Sequence, residues 1–513
     1  MFATSSNPLP QPAYIRFLIP CALLLGLALR LFDAASFYLN PDEAIHFCRS
    51  QPTTWYEESN LRGTAPPFFF LVVHYTQQIA NSEFFLRLPF LLSGCLFPWV
   101  IFKWLQRLNL PTAALTSFLI LEFSPNLIAL TTQIRGYAIA LLLTSLAIYF
   151  LERALQLRSI PSLLLSATSL YLGILTEFSV AFATAALGVY ALLRILQNSE
   201  PLFSRFHLIW AATQMGALAI YLFLYQTMMA DLLSRPIVAN TIEGYLRGGF
   251  PKPGENLLRF FASSTAKQLA YLASSIPIGF FFLALFLAGL VSIWISQPRT
   301  SLSPQRILSL ATLTAFSIAF VACLTRTFPY GRSRHSIVLA LFATPVIAIG
   351  LERILQSIPR LVLPISLLIT AMLFPLAEQD PQNIHRSRHD LTAMLEAVRQ
   401  LRSSIPPGSF IFADYETLWI MNFYINNRQC SPITYGPDPL RTLDAPPFRL
   451  ASLRWSHQSP EQTTSDLLTL RKLMQLPATQ PIHILDSGFD LLPQSTPSAQ
   501  IFSNVLLWIP PRP

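Results

Sequence analysis

The chain has 513 residues, of which 52% are hydrophobic and only 12% charged, and its mean hydropathy is +0.47. A water-soluble protein carries roughly 25% charged residues, so most of this chain is solvated by lipid and an ordinary soluble globule is excluded. Its net charge of +9 is scattered over loops, which points to anionic headgroups or a phosphate-bearing substrate rather than to nucleic acid.

The first apolar run, Phe17 to Leu29, is followed by Arg30 and Asp33 where a signal peptide would need a small-residue cleavage site. It is read as a retained helix over 14–32. Leu39-Asn40-Pro41-Asp42-Glu43-Ala44 comes next. Two adjacent carboxylates at the exit of a first span are expensive to leave near lipid. They are also what a protein needs to take a proton from an acceptor, or to hold a cation, at a membrane surface. The same Pro41-Asp42-Glu43 equally fits the start of a short helix, with acids at its favourable end. Pro66 to Ile79 is apolar but too short to cross a bilayer. It is read as an interfacial or re-entrant helix started by Pro66-Pro67.

Further spans are predicted over 84–104, 111–130, 133–151, 206–228, 272–296, 305–325, 334–351 and 359–376, with 161–196 divided into two near Thr176-Glu177. That makes about eleven spans of bilayer length. With the N-terminus inside, the cytoplasmic connections carry Lys103 and Arg107, Arg153 and Arg158, Arg194 and Arg205, Arg299 and Arg306, and Arg353 and Arg360. Every one has a basic pair, as the positive-inside rule requires. Asp42, Glu43, Glu177, the loop 229–271, the segment 326–333 and the C-terminal tail then share the outer face.

Two outer regions are basic against the rule. One is the loop with Arg235, Arg247, Lys252, Arg259 and Lys267; the other is Arg326 through Arg332, Arg334 and His335. Ordinary surface charge accounts for them as well as a bound anion does, and for phosphate Arg is the bidentate partner. From about 377 the composition changes. An amphipathic helix is predicted over 385–402, a strand over 409–413, a helix over 460–475 and strands over 482–485 and 505–509. The tail therefore reads as a small α/β domain. His385 and His389 lie four apart beside Asp390 with no third ligand evident, so they read as an exposed polar face. Of five cysteines, Cys48 and Cys430 are the one conceivable disulfide pair.

The Asp42-Glu43 pair, the Pro66-Pro67-aromatic helix in the same loop and Gln133-Ile134-Arg135-Gly136-Tyr137 at a span opening together resemble the membrane glycosyltransferases of the GT-C fold. Within that group the resemblance is to bacterial relatives of protein O-mannosyltransferases and of lipid A aminoarabinose transferase. Arg332-Ser333-Arg334-His335 resembles the Arg-Tyr or Arg-His motif that those proteins carry late in the membrane domain. The resemblance covers about residues 14–425. It departs at Ala65, where the family often has His or Asp, and at Glu177, where Lys or His often follows the Thr.

The resemblance implies a mainly α, polytopic, GT-C-like membrane domain over 1–376 and a small extracytoplasmic α/β domain over 377–513. It implies an inverting hexosyl- or pentosyltransferase of the bacterial inner membrane. Its donor would be a polyprenyl-phosphate-linked sugar, its acceptor a protein, glycolipid or polysaccharide. Asp42 would be the general base, and Glu43 either a ligand for a divalent cation (Mg or Mn) or a residue fixing the loop. Arg135, Tyr137, Glu177, Arg332, Arg334 and His335 would bind substrate. The rival readings are a flippase for a lipid-linked sugar and a scaffold for envelope polysaccharide assembly. No internal repeat and no interrupted helix is evident in the sequence, as a transporter would lead one to expect.

Overall fold

A computed structural model of the chain describes residues 13–51, 65–197, 204–230, 246–295, 303–331, 333–378, 391–413, 415–431, 433–435, 441–445, 448–452, 468–469, 471–477, 482–486, 499–502 and 505–508. Arg332, His385, His389, Asp390 and most of 460–475 lie outside these residues. Helices up to residue 378 include α1 (Ala13–Ser36), α4 (Glu83–Arg107), α5 (Pro111–Phe123), α6 (Pro125–Thr131), α7 (Gly136–Leu157), α8 (Ile160–Ile174), α9 (Val180–Leu196), α10 (Arg205–Leu224), α11 (Leu257–Ala273), α12 (Ile276–Ile295), α13 (Pro304–Leu324), α14 (Ala340–Ile354) and α15 (Val362–Glu378). Short helices α2 (Pro41–Arg49) and α3 (Pro67–Ile79) fall between α1 and α4. Their ends follow ordinary capping chemistry. Ser159, Ser204, Asn256 and Ser303 each accept a hydrogen bond from an N–H three residues on, and Pro occupies the first turn of α5, α6, α8 and α13.

Among the described residues, seven helices are long and apolar enough to cross a membrane, or eight if the bent pair α5–α6 is one span. Three shorter apolar helices, Ile160–Ile174, Val180–Leu196 and Pro359–Leu373, stand where the remaining spans were predicted. The fold is thus mainly α and polytopic.

Two local readings are corrected. The stretch 111–130 is not one straight helix: its axis turns by 61° between Phe123 and Pro125. Pro125 has no N–H to continue the ladder. Ser124 takes over the junction, its hydroxyl donating to the Leu272 carbonyl at 2.6 Å. An interrupted helix is therefore present, although none was evident from the sequence. The second correction is that 229–271 is not wholly loop. Asn256 caps the 17-residue α11, which ends at Ser274 in the left-handed region, φ 55°.

The described chain forms two compact units. One comprises Met1–Leu31, Leu61–Phe69 and Leu88–Arg386; the other comprises Phe32–Asn60, Phe70–Arg87 and Ser387–Pro513. Segments 32–60 and 70–87 thus group with the tail.

The first unit has one continuous apolar core running from Ile15 to Leu373. It also holds a buried ion pair within the helices. Arg30 Nη1 donates to Glu122 Oε1 at 2.7 Å, Nη2 to the Glu122 carbonyl at 3.2 Å and Nε to Thr131 Oγ1 at 3.2 Å. Apolar surroundings make such a charge tolerable only with its partner in place.

The second unit contains α16 (Leu391–Ser404), α17 (Tyr415–Ile425) and a seven-stranded sheet. Its strands are β1 (Phe410–Ala413), β2 (Thr434–Tyr435), β3 (Arg441–Ala445), β4 (Phe448–Ser452), β5 (Ile482–Asp486), β6 (Ala499–Phe502) and β7 (Val505–Trp508). They run in the order β2-β3-β4-β1-β5-β7-β6. β1 pairs in parallel with β4 and β5, and the remaining pairs are antiparallel. All four residues of β1 are buried, as a central parallel strand requires.

Candidate functional site

The acid pair belongs to the second unit, on α2. Asn40 is its N-cap: the Asn40 side chain accepts from the Glu43 N–H, and the Glu43 carboxylate accepts from the Asn40 N–H, each at 3.0 Å. This is the reciprocal capping box expected where Pro follows a capping Asn. Glu43 is fully buried and also meets Arg87 in a two-toothed ion pair, with Nε to Oε1 at 2.9 Å and Nη2 to Oε2 at 2.8 Å. The rest of the guanidinium binds backbone: Nη1 donates to the Ala34 and Phe37 carbonyls at 2.9 and 2.6 Å, and Nη2 to the Tyr38 carbonyl at 3.0 Å.

These contacts separate the two carboxylates. Both oxygens of Glu43 face Arg87, and a cation in the same place would meet a buried positive charge. The residues present therefore do not suit a divalent ion at Glu43, and among the described residues no three His, Cys, Asp or Glu side chains converge. Glu43 fixes the loop. Asp42, one residue earlier, is half-buried in the first turn of α2.

The far end of α2 is tied as well. Cys48 and Cys430 form a disulfide, with Cα atoms 5.4 Å apart. The Ser50 carbonyl accepts from His74 Nδ1 at 2.8 Å and from the Gln77 side chain. The short helix α3 thus supports this loop through its second half.

The remaining described candidates lie in the first unit. Arg135 is the N-cap of α7 and Tyr137 lies in its first turn. Tyr137 is buried, and its hydroxyl lies 3.3 Å from His335 Nδ1, with the rings edge to face at 6.3 Å. Phe328 also packs edge to face against His335, and Phe182 against Phe328. Glu177 occupies the turn between α8 and α9, and both it and Tyr137 lie within electrostatic reach of Arg135 and Arg334.

That convergence has local causes. The break at Ser124-Pro125 lets Asn126 reach the end of α11, where its Nδ2 donates to the Tyr271 carbonyl at 2.8 Å. A Cβ on Gly136 would stand 2.7 Å from the Thr176 carbonyl, so only glycine lets the Glu177 turn come this close to the start of α7. Gly331 has φ +126°, which turns the chain into the 3-10 segment Arg334–Leu339. The Phe68 N–H donates to the Leu175 carbonyl at 2.8 Å, tying the first turn of α3 to the same neighbourhood.

Burial pushes the Glu177 carboxyl from its ordinary 4.5 up to about 7, although Arg135, the Ser179 and Phe178 N–H groups and Arg334 each favour its charge. A carboxyl whose folded value is raised stabilises the protein fully below about 4.5 and loses that contribution as pH rises through about 7. Glu177→Gln carries no such charge. Its melting point should therefore gain on wild type between pH 5 and 8, by the equivalent of about 1–2 kcal/mol after solvent screening. Parallel melts of the two proteins in detergent check this, and a constant difference across the range would contradict it.

Residues 64–225 match the family model described as dolichyl-phosphate-mannose-protein mannosyltransferase. The matched stretch includes Arg135, Tyr137 and Glu177, and Asp42, Glu43 and Arg334 lie outside it. No curated protein sequence matches the chain. Among solved structures, ArnT from Cupriavidus metallidurans in the apo state is 13% identical, covers 97% of this chain and 98% of its own, and superposes with a TM-score of 0.53. The same protein bound to undecaprenyl phosphate is 14% identical over the same shares, with a TM-score of 0.55. At such identity the likeness is one of fold: the chain has the GT-C fold.

Proposed function

We propose that this protein is a membrane glycosyltransferase that moves a sugar from a polyprenyl-phosphate donor to an acceptor outside the cytoplasm. The observation that carries the reading is the contact of His335 with Tyr137, with Arg334 adjacent to the one and Arg135 at the cap before the other, within a GT-C fold. Two arginines and an imidazole beside a neutral phenol suit a phosphate monoester, because Arg donates in the fork geometry that phosphate oxygens accept. Arg332, two residues before Arg334, is assigned to the same task. That ArnT binds undecaprenyl phosphate in a chain of this fold supports the same donor class here.

Displacement at the anomeric carbon needs a base for the acceptor's proton and fixed positive charge for the departing phosphate. In this reading Asp42 accepts the proton and the arginines take up the charge that develops on the leaving phosphate. Polyprenyl phosphate leaves readily, so no strong acid is needed, and a single displacement inverts the anomeric centre. Glu177 limits the net positive charge of the phosphate site. The disulfide supports an oxidising, extracytoplasmic setting for α2 and the tail, and the charge of the loops supports a bacterial inner membrane orientation with that face outward.

One observation favours the lipid-linked sugar transporter: the 61° break in α5–α6, since transporters bind at interrupted helices. The two readings separate in detergent, where there are no two sides. Cells lacking the protein should accumulate a polyprenyl-phosphate sugar and lose one envelope glycan. When that lipid is supplied to the solubilised protein with envelope material from the same cells, a transferase releases polyprenyl phosphate. No release, with the lipid bound and intact, would leave the transporter.

A further inference from the structure

The backbone around Asp42 is held by groups from two distant parts of the chain. Glu43 and Arg87 account for one part. The other is the segment 424–430, which follows the central strand of the C-terminal sheet. Tyr424 is buried at the end of α17, and its hydroxyl accepts the Leu39 N–H at 2.9 Å. Burial holds that phenol well above its ordinary value, so the hydroxyl stays neutral at any working pH. Its ring meets Tyr38 edge to face at 6.4 Å, and Phe423 meets Phe47 at 4.9 Å and 88°. The same segment holds the other end of α2. Besides the Cys48–Cys430 bond, Gln51 accepts from the Cys430 N–H at 3.0 Å, and Arg428 pairs with Glu83 at 2.8 Å.

The residues from 38 to 51 are thus spanned at both ends by one short stretch of the C-terminal domain, and Asp42 sits between the two anchors. Resting on the reading of Asp42 as base, we infer that the C-terminal domain sets the geometry of Asp42, with Tyr424 as the positioning residue at one end and the Cys48–Cys430 bond as the anchor at the other. A base moved by a fraction of an ångström still binds donor but meets the acceptor hydroxyl badly, so turnover falls and donor affinity does not.

The test uses the full-length protein in detergent, the lipid-linked sugar isolated from cells lacking it, and envelope material from those cells as acceptor. Tyr424→Phe keeps the ring and removes the hydroxyl that accepts the Leu39 N–H. It should lower kcat by about tenfold with donor KM unchanged, and Cys48→Ser with Cys430→Ser should do the same from the other end. Loss of packing alone would instead lower the amount of active protein and leave kcat per folded molecule as in wild type. Should Tyr424→Phe fail to fold, the paired serine variant gives the same reading. If Asp42→Asn is inactive while both positioning variants keep wild-type kcat, the inference about the C-terminal domain is overturned and the base assignment stands. If Asp42→Asn turns over normally, the base assignment fails and takes this inference with it.

Discussion

Asp42→Asn should insert, fold and bind donor as the wild type does, and turn over about 10²–10⁴-fold more slowly, the range that removal of a general base produces. The change is conservative where it sits. Asp42 is half-buried in the first turn of α2, and the capping box and the Arg87 fork are both made by other residues. Removing its charge forgoes a helix-dipole interaction worth about 0.3–1 kcal/mol and leaves the capping box and the Arg87 fork in place. Release of polyprenyl phosphate by purified protein, beside a melting curve, separates lost chemistry from lost structure. Wild-type release would sink the assignment.

The second large effect concerns Arg87. All of its donors are engaged, two on Glu43 and the others on the carbonyls of Ala34, Phe37 and Tyr38. Arg87→Ala leaves a buried carboxylate and the carbonyls of Ala34, Phe37 and Tyr38 without it, and breaking a buried pair in this way costs about 3–5 kcal/mol. Replacing both charges, as in Arg87→Met with Glu43→Leu, removes the stranded carboxylate along with the cation. Such double replacements are often neutral or better for stability. The carbonyls would remain without donors, so the pair should recover most, not all, of the loss. Thermal melting of the three proteins in detergent ranks them, and an Arg87→Ala protein as stable as wild type would show that the fork contributes little.

Several features were legible because they depend on local pattern. The proline pair at 66–67 started a helix as read, since it needs only a fixed φ and a missing donor. The spans, the amphipathic turn of α16 and the strand at 410–413 follow from hydrophobic periodicity. Cysteine arithmetic singled out Cys48 and Cys430, because the other three lie in apolar segments. The 61° bend was present as Ser124-Pro125, a serine cap ahead of a proline, and was overlooked because hydropathy averages over it. Arg87 and Glu122 were overlooked for the same reason: a single charge barely changes the mean of a long apolar window. An ionisable residue inside a span is the signal that finds them. Tyr424 gave no signal at all, because its partner is a backbone N–H 385 residues away, and side chains that bind backbone leave no complementary residue to look for.

The bond between Cys48 and Cys430 closes a separation of 382 residues, which bears on the order in which the protein can be made. During synthesis α2 emerges early, and its partner cysteine emerges only after the helices of the first unit. Until then α2 has no covalent anchor and the Leu39 N–H has no tyrosine. On the proposed reading, a nascent chain holds Arg135 and Arg334 before Asp42 is held in register. On the same reading, a chain that stops before residue 424 carries Asp42 without the contacts that set its geometry and should turn over slowly.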